Sequence, residues 1–521
     1  MLPGPLGCRP SHGSCSSRWF LLDPRGSQWS IRKEKLLLAR GLKSTLRDLT
    51  PRFLDGLWTR LEASPLGVRL LRGTFWSMMG TLVSRAMGLA AAILAARIIG
   101  KMVYGELGII QSTAGMLGTL AGFGMSTTAA KFVAELRGKD PAKAGRIIAL
   151  SSLASWTISL ALAAMLLFLA PWLCKHTLAA PHLTGYLRIS TPLLVLSGIN
   201  GAQLGVLVGF EAFKSIARVN ALTGLLNFPL IVGGALLFGL GGIICGMALA
   251  QAGGCLLNLR ALRREAKHYH VPISFSSCLA ELPIVWRFSI PAVGTELALS
   301  AVGWACATML VRRPNGYSEM GAFSAANQWF NAAIWLPMMI GTVALPMLSE
   351  QLGTNDKANS VRLLWMSVKI NGALVLPIVA IGCLASRYIM MSYGKGFGSE
   401  WPTLCVVLIT AGVISLEFPV GQLLSASGRM WLGFSSIVGW GAVFLGANAL
   451  LLRWGSFGLA SARLLAYSAH AIFIFPYVIV FIISRRSITG SGGRSDQAAE
   501  NEKLAPASST SSHREEPTWM G

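Results

Sequence analysis

The sequence predicts an all-α, multi-pass membrane protein built from two similar halves. Of its 521 residues, 53% are hydrophobic and only 13% are charged, a composition typical of membrane proteins. Long apolar segments recur along the chain, each long enough to cross a bilayer core of about 30 Å at a rise of about 1.5 Å per residue. Short sequence motifs also occur twice, in the same order. Together these observations define the predicted fold class.

Twelve membrane-spanning helices are predicted, separated by short polar loops. They cover approximately residues 74–99, 105–129, 146–170, 186–209, 216–238, 241–261, 284–310, 320–346, 361–384, 401–425, 430–450 and 457–483. Lysine and arginine are about twice as frequent in the loops after even-numbered spans as in the opposite loops, and basic loops stay in the cytoplasm. Both termini are therefore expected in the cytoplasm.

The two ends of the chain differ from its centre. Residues 1–72 are basic and contain no apolar run long enough to span a membrane, so they are predicted to be a cytoplasmic N-terminal extension or an over-long gene start. Residues 485–521 are rich in Ser, Gly, Ala and Glu without apolar periodicity. This composition is typical of a disordered tail, which we expect in the cytoplasm.

Charge and motifs exclude several functions. The net charge of +23 is dispersed among apolar runs, which favours cytoplasmic loops and attraction to membrane lipids over a nucleic-acid partner. The nine cysteines form no CxxC pair, and no GxxxxGK[ST], HExxH or GxSxG motif is present. We therefore expect no cofactor, no metal site and no enzymatic activity. Transport would need an ion gradient, the membrane potential or substrate consumption.

An internal repeat predicts the domain organisation. YGELG at Tyr104–Gly108 matches YSEMG at Tyr317–Gly321 with an offset of 213 residues. Two further pairs follow in the same order, AELRGKD with SEQLGTND and QLGVLVG with QLLSASG. Two parallel six-helix lobes are therefore predicted, related by an axis along the membrane normal. Their bounds are 73–260 for the first lobe, 261–283 for a cytoplasmic linker and 284–484 for the second lobe.

The segments RGTFWSMMGTLVSRAMGLAAAILAARIIG, YGELGIIQS, FGMSTTAAKFVAELRGKDP and YSEMGAFSAANQW resemble the polysaccharide biosynthesis flippases. These are oligosaccharide-lipid translocases of the multidrug, oligosaccharidyl-lipid and polysaccharide exporter superfamily. The resemblance covers about residues 70–485. It implies two six-helix lobes around a central cavity that opens alternately to either side of the bacterial cytoplasmic membrane. The implied substrate is a polyprenyl-diphosphate-linked oligosaccharide, with a polysaccharide polymerase and glycosyltransferases as partners.

Two opposite charges are predicted inside the membrane at equivalent depth. Arg85 lies near the middle of the first span, where a cation costs on the order of 2.5 to 3.5 kcal/mol. It shares a helix face with small and polar residues: Thr81, Ser84, Gly88 and Ala92. The repeat offset places Glu296 of span seven within a turn of the equivalent position. We expect the two to pair directly or through water, either for substrate binding or as a structural bridge.

Further candidate residues lie in the second half. Arg463, Tyr467 and His470 recur at helical spacing in span twelve, on a face suited to a diphosphate or to sugar hydroxyls. Glu417 directly precedes a proline-containing turn of span ten. Asn327 and Asn331 share a face of span eight, where helix-to-helix hydrogen bonding and substrate contact are equally good interpretations.

The sequence thus favours a flippase of lipid-linked oligosaccharide for O-antigen, capsule or exopolysaccharide assembly. A polar cavity bearing arginines would lower the barrier to moving an anionic, hydrated headgroup through hydrocarbon. A drug or cation antiporter and a peptidoglycan-precursor flippase remain open as alternatives. So do a membrane-embedded glycosyltransferase and a non-transporting scaffold.

Overall fold

The structure, a computed structural model, describes residues 65–275, 278–353, 357–426 and 430–484. Within these ranges the chain is helical with short connections and contains no β-strand, which confirms the all-α prediction. The predicted tail at 485–521 and residues 1–64 of the predicted extension lie outside the described residues. Contacts group the described residues from Gly73 onward into one compact unit.

Helices occur at all twelve predicted span positions. In the first half they are α1 Pro65–Ile99, α2 Lys101–Leu136, α3 Pro141–Trp172, the short α4 Thr184–Ile189, α5 Thr191–Gly209 and α6 Phe213–His268. In the second half they are α7 Leu282–Val311, α8 Gly316–Gly353, α9 Lys357–Leu384, the short α10 Ser386–Ser392, α11 Trp401–Ala426, α12 Met430–Leu451 and α13 Gly455–Ser484. Gly239, with φ 57° and ψ −131°, breaks α6 into two arms, a conformation that glycine adopts without steric cost.

The helices differ in hydropathy. Eight segments of the described chain are long and apolar enough to cross a membrane, and they include α1, α3, α6, α9 and α11. α2 and α8 are not among these segments, since both carry many glycines and polar side chains. α2 packs against α5, α7 and α8, and α8 packs against α11. The chain is therefore a multi-pass membrane protein in which α2 and α8 pack among the more apolar segments.

One hydrophobic core extends through both halves. It contains Ile109 and Ala91 from the first half together with Leu310, Ala322 and Tyr393 from the second. These buried side chains pack the helices against one another. Such packing is the main interaction that holds helices together in an apolar solvent. The two halves are thus joined by packing as well as by the linker.

α2 and α8 approach each other most closely through the repeated motif. A Cβ atom added at Gly105 would lie 1.8 Å from the carbonyl oxygen of Tyr317, and one added at Gly321 would lie 2.1 Å from that of Lys101. Both distances are far below van der Waals contact, so only glycine fits. Small residues that let two backbones meet are typical of membrane-helix interfaces. The YGELG and YSEMG motifs therefore build the seam between the halves.

Polar contacts reinforce this seam at the end that the charge bias predicts to face outward. Lys101 Nζ lies 2.8 Å from Glu400 Oε1, and Arg97 Nε donates to the carbonyl oxygen of Ser392 at 2.5 Å. The Tyr317 hydroxyl donates to the carbonyl oxygen of Leu178 at 2.7 Å. Each contact links one half to the other. We call this set, with the α2–α8 seam, the outer contact.

We predict that Gly105→Ala destabilises the protein, whereas Gly115→Ala does not. A Cβ at Gly115 meets nothing within 4 Å, and both substitutions gain the same helix propensity of up to about 1 kcal/mol. The clash at Gly105 should cost about 1 to 3 kcal/mol. The apparent thermal midpoint of detergent-purified protein should fall by several degrees for Gly105→Ala alone. Equal midpoints for the two variants would contradict the close approach.

Candidate functional site

Two adjoining cavities lie between the helices of the two halves. The first, of about 520 Å³, is lined mainly by α1, α2, α5 and α6. The second, of about 570 Å³, is lined mainly by α7, α8, α12 and α13. Gln111, Gln328 and Asn331 line both. We therefore treat the two as compartments of one central cavity.

Close packing of α1 against α6 directs Arg85 into the first compartment. A Cβ at Gly80 would lie 2.2 Å from the carbonyl oxygen of Ala217, and a Cβ at Gly224 would lie 2.4 Å from the Cα of Ser84. This seam holds one face of α1. Arg85 follows Ser84 by about 100° of helix rotation and projects into the cavity.

Two neutral groups from α8 hold the Arg85 guanidinium. Arg85 Nη1 donates to the backbone carbonyl oxygen of Asn331 at 3.0 Å, and its guanidinium carbon lies 5.9 Å from the ring centroid of Trp335. Neither partner carries a negative charge. The positive charge of Arg85 is therefore stabilised but not neutralised.

Arg463 is held in the same way in the second compartment. Its Nη1 donates to Asn327 Oδ1 at 2.9 Å, and its guanidinium carbon lies 3.9 Å from the ring centroid of Phe330. One turn further along α13, Tyr467 packs on Trp440 with 5.0 Å between ring centroids. Within the part of the chain that the structure describes, neither Arg463 nor Arg85 forms an ion pair with a carboxylate.

Glu296 lies in the second compartment and not beside Arg85. It lines the cavity together with Arg463 and Tyr467, while Arg85 lines the first compartment. The direct Arg85–Glu296 pair expected from the repeat is not formed among the described residues. Arg85 bonds to α8 instead, because α8 places the Asn331 backbone within its reach. Arg85 and Glu296 occupy equivalent positions in the two halves, but this equivalence does not bring them into contact.

Glu417 and His470 form a separate buried pair. His470 Nδ1 lies 3.4 Å from Glu417 Oε2, and neither residue lines the two compartments. The other polar atoms of the pair, Glu417 Oε1 and His470 Nε2, are buried without a hydrogen-bond partner among the described residues. His470 continues the helical stripe of Arg463 and Tyr467, but it faces α11. These two candidates thus lie apart from the other six.

The cavity also contains polar residues that the sequence reasoning missed. Gln111 and Gln328 line both compartments, and Gln251 lines the first. Each is an amide within a predicted membrane span, the same signal that identified Asn327 and Asn331. The aromatic rings of Phe330 and Trp440 carried no such signal, because an aromatic residue in a membrane helix is usually a packing residue.

The arrangement of charges suits an anionic ligand with many hydrogen-bonding groups. Guanidinium groups donate pairs of hydrogen bonds to phosphate oxygens in a planar geometry. The neighbouring amides of Gln111, Gln328 and Asn331 each offer donors and an acceptor for hydroxyl groups. The central cavity can therefore hold a polar, negatively charged group inside the membrane.

The described architecture agrees with comparisons to known proteins. The family model for polysaccharide biosynthesis proteins matches residues 70–352, a range that includes α2, α7 and the first compartment. The chain belongs to this family.

Two similar proteins align with only part of the chain. Similar proteins are the "EPS I polysaccharide export inner membrane protein EpsE" of Ralstonia solanacearum, 27% identical over 229 residues, and that of Ralstonia nicotianae, 26% identical over 229 residues. Each alignment covers 43% of this chain and 51% of the relative. The chain thus spans about half the length of the curated relatives it matches.

Solved structures share the fold over most of the chain. The inward-facing conformation of a multidrug-resistance MATE family transporter of the MOP superfamily aligns with a TM-score of 0.65 at 14% identity, over 79% of this chain and 100% of the other. A MOP superfamily transporter from Pyrococcus furiosus aligns with a TM-score of 0.60 at 17% identity, over 81% of this chain and 96% of the other. At these identities the similarity establishes the fold of this family member and not its substrate.

We predict that Asn327→Ala destabilises the protein and that Asn331→Ala leaves its stability nearly unchanged. Asn327 holds Arg463 through its side chain, whereas Asn331 holds Arg85 through its backbone. A hydrogen bond to a charged group contributes about 1.5 to 3 kcal/mol. Thermal denaturation of the purified variants measures the difference. Equal losses for both asparagines would contradict the described contacts.

Proposed function

We propose that this protein is a flippase that translocates a polyprenyl-diphosphate-linked oligosaccharide across the bacterial inner membrane for surface polysaccharide assembly. Its substrate would be a precursor of O-antigen, capsule or exopolysaccharide. Membership of the polysaccharide biosynthesis family and similarity to an inner membrane protein of polysaccharide export support the general process. The substrate class rests on the cavity.

The observation that carries the proposal is a pair of arginines in the cavity without carboxylate partners. An arginine inside a membrane costs on the order of 2.5 to 3.5 kcal/mol, and its usual compensation is a nearby acid. Arg85 and Arg463 are held by neutral groups instead. Two diphosphate oxygens would supply the missing negative charge, and the cavity amides would meet the sugar.

Movement of the headgroup requires that the cavity open to one side at a time. In the structure the outer contact joins the halves at the predicted outer end, through the α2–α8 seam and the Lys101–Glu400 ion pair. We propose that this contact is the outer gate, and that it separates when the headgroup leaves the cytoplasmic side. Both termini would then lie in the cytoplasm, and the polymerase and glycosyltransferases would act on either side of this step.

A drug or cation antiporter of the same superfamily is the second candidate. It is favoured by Glu296 in the second compartment and by the buried Glu417–His470 pair, since a cation substrate or a coupling ion needs acidic groups. The two candidates differ in which charges transport requires. A flippase depends on the arginines, and an antiporter depends on the glutamates.

The decisive experiment follows labelled polyprenyl-diphosphate sugar across proteoliposome membranes. We expect Arg85→Ala and Arg463→Ala to lower translocation about 10-fold or more at normal protein abundance, since each removes a charged hydrogen-bond donor worth about 1.5 to 3 kcal/mol. Arg85→Lys and Arg463→Lys keep the positive charge but lack the planar guanidinium group, so they should retain part of the translocation activity. Arg453, which stacks on Trp454 at 4.9 Å and does not line the cavity, provides the matched control.

Two results would count against the flippase. Full translocation by the double variant Arg85→Ala with Glu296→Ala would mean that the two charges only balance each other. Normal translocation by both arginine variants, combined with loss of cation efflux in Glu296→Gln, would favour the antiporter.

A further inference from the structure

A second basic site lies at the C-terminal end of α6, away from the central cavity. Arg260, Arg263, Arg264 and Lys267 are spaced i, i+3, i+4 and i+7, so they occupy one stripe of the helix. All four are exposed. None forms an ion pair within the described ranges. The nearby Glu265 accepts a hydrogen bond from Ser215 at 3.0 Å and does not line the groove.

The chain folds back beside this stripe and encloses a groove of about 510 Å³. After α6 ends, Val271 N donates to the carbonyl oxygen of Ala266 at 2.9 Å, which reverses the chain direction. Val271 and Ile273 line this groove together with the four basic side chains, and we call these two residues its apolar wall. The groove therefore combines a cationic with an apolar lining.

Further apolar side chains of the linker are exposed after the groove-lining Val271. Ile273, Phe275 and Leu279 expose 37%, 63% and 64% of their surface. On α6, the exposed Leu256 precedes Arg263 by seven residues, or about 10 Å of helix. An apolar surface next to a basic stripe, at the point where a helix leaves the bilayer, is the arrangement of a membrane-interface segment.

The groove is held in place by contacts with α3. A Cβ at Gly145 would lie 1.8 Å from the carbonyl oxygen of Pro272, so the linker backbone rests directly on α3. Further along, Arg146 Nη2 lies 3.1 Å from Glu281 Oε1. Both ends of the linker segment are therefore fixed to the first half. The groove does not need to be ordered by its ligand.

We propose that this groove binds the phosphate headgroup of an anionic phospholipid from the surrounding leaflet, with an acyl chain along Ile273 and Phe275. The four cations supply donors for phosphate oxygens, and a basic pocket beside a membrane helix suits an anionic lipid. The apolar wall favours a lipid over a free phosphate, because only a lipid has an acyl chain that can pack against it. This site is independent of the flippase proposal, because it shares no residue with the central cavity.

Native mass spectrometry of the full-length protein in detergent tests the proposal with phosphatidylglycerol and phosphatidylethanolamine as probes. Wild-type protein should retain phosphatidylglycerol preferentially. The variant Arg263→Gln with Lys267→Gln should bind it about 30-fold more weakly, since each basic residue near an anionic lipid contributes about fivefold. Lys139→Gln with Lys214→Gln removes the same charge from exposed sites elsewhere and should bind as wild type. If phosphatidylglycerol binding were weakened equally in both double variants, the assignment of the lipid site to this groove would be wrong.

A second variant separates a lipid from a free phosphate. Ile273→Ser with Phe275→Ser keeps every charge and should reduce phosphatidylglycerol binding while thermal stability stays unchanged, because both side chains are exposed. Millimolar inorganic phosphate should not displace the lipid from wild-type protein. Unchanged lipid binding in this variant, or complete displacement by phosphate, would show that the groove binds phosphate alone and would overturn the lipid assignment.

Discussion

Two guanidinium groups inside a membrane, each held by neutral partners, are the constraint on which the rest of this structure depends. A cation within a membrane loses part of its hydration, and in this protein amide oxygens and aromatic rings compensate in place of acids. α8 provides these partners for both arginines, so α8 must lie between α1 and α13. The glycine seam that brings α8 against α2 is therefore also what positions the cavity charges.

The sequence was sufficient to predict the fold because its signals are local. Apolar length places helices, and the repeated YxExG motif indicates duplication without any knowledge of contacts. The motif also lies at the seam between α2 and α8, but the sequence does not show why glycine is required there. That Gly105 and Gly321 each meet a backbone carbonyl depends on how α2 and α8 cross, which is a tertiary property.

The site was harder to predict for the same reason. Polar residues in apolar helices identified Arg85, Arg463 and Asn327, and the cavity does bring them together. The hydrogen-bond partners of these residues depend on how each helix is rotated about its axis in the folded protein. A sequence pattern does not contain that information. Arg85 meets the Asn331 backbone, which any residue would offer at that position. His470 shares a stripe with Arg463, yet it lies about two turns, or about 10 Å, further along α13, where its neighbour is Glu417 of α11.

The central claim is that the cavity arginines bind a diphosphate within the membrane. A structure of the purified protein with a bound polyprenyl-diphosphate sugar tests it most directly. The account predicts phosphate density within hydrogen-bonding distance of Arg85 or Arg463, with the sugar against Gln111, Gln328 or Asn331. Phosphate density only at the α6 groove, with the central cavity empty at saturating ligand, would contradict it.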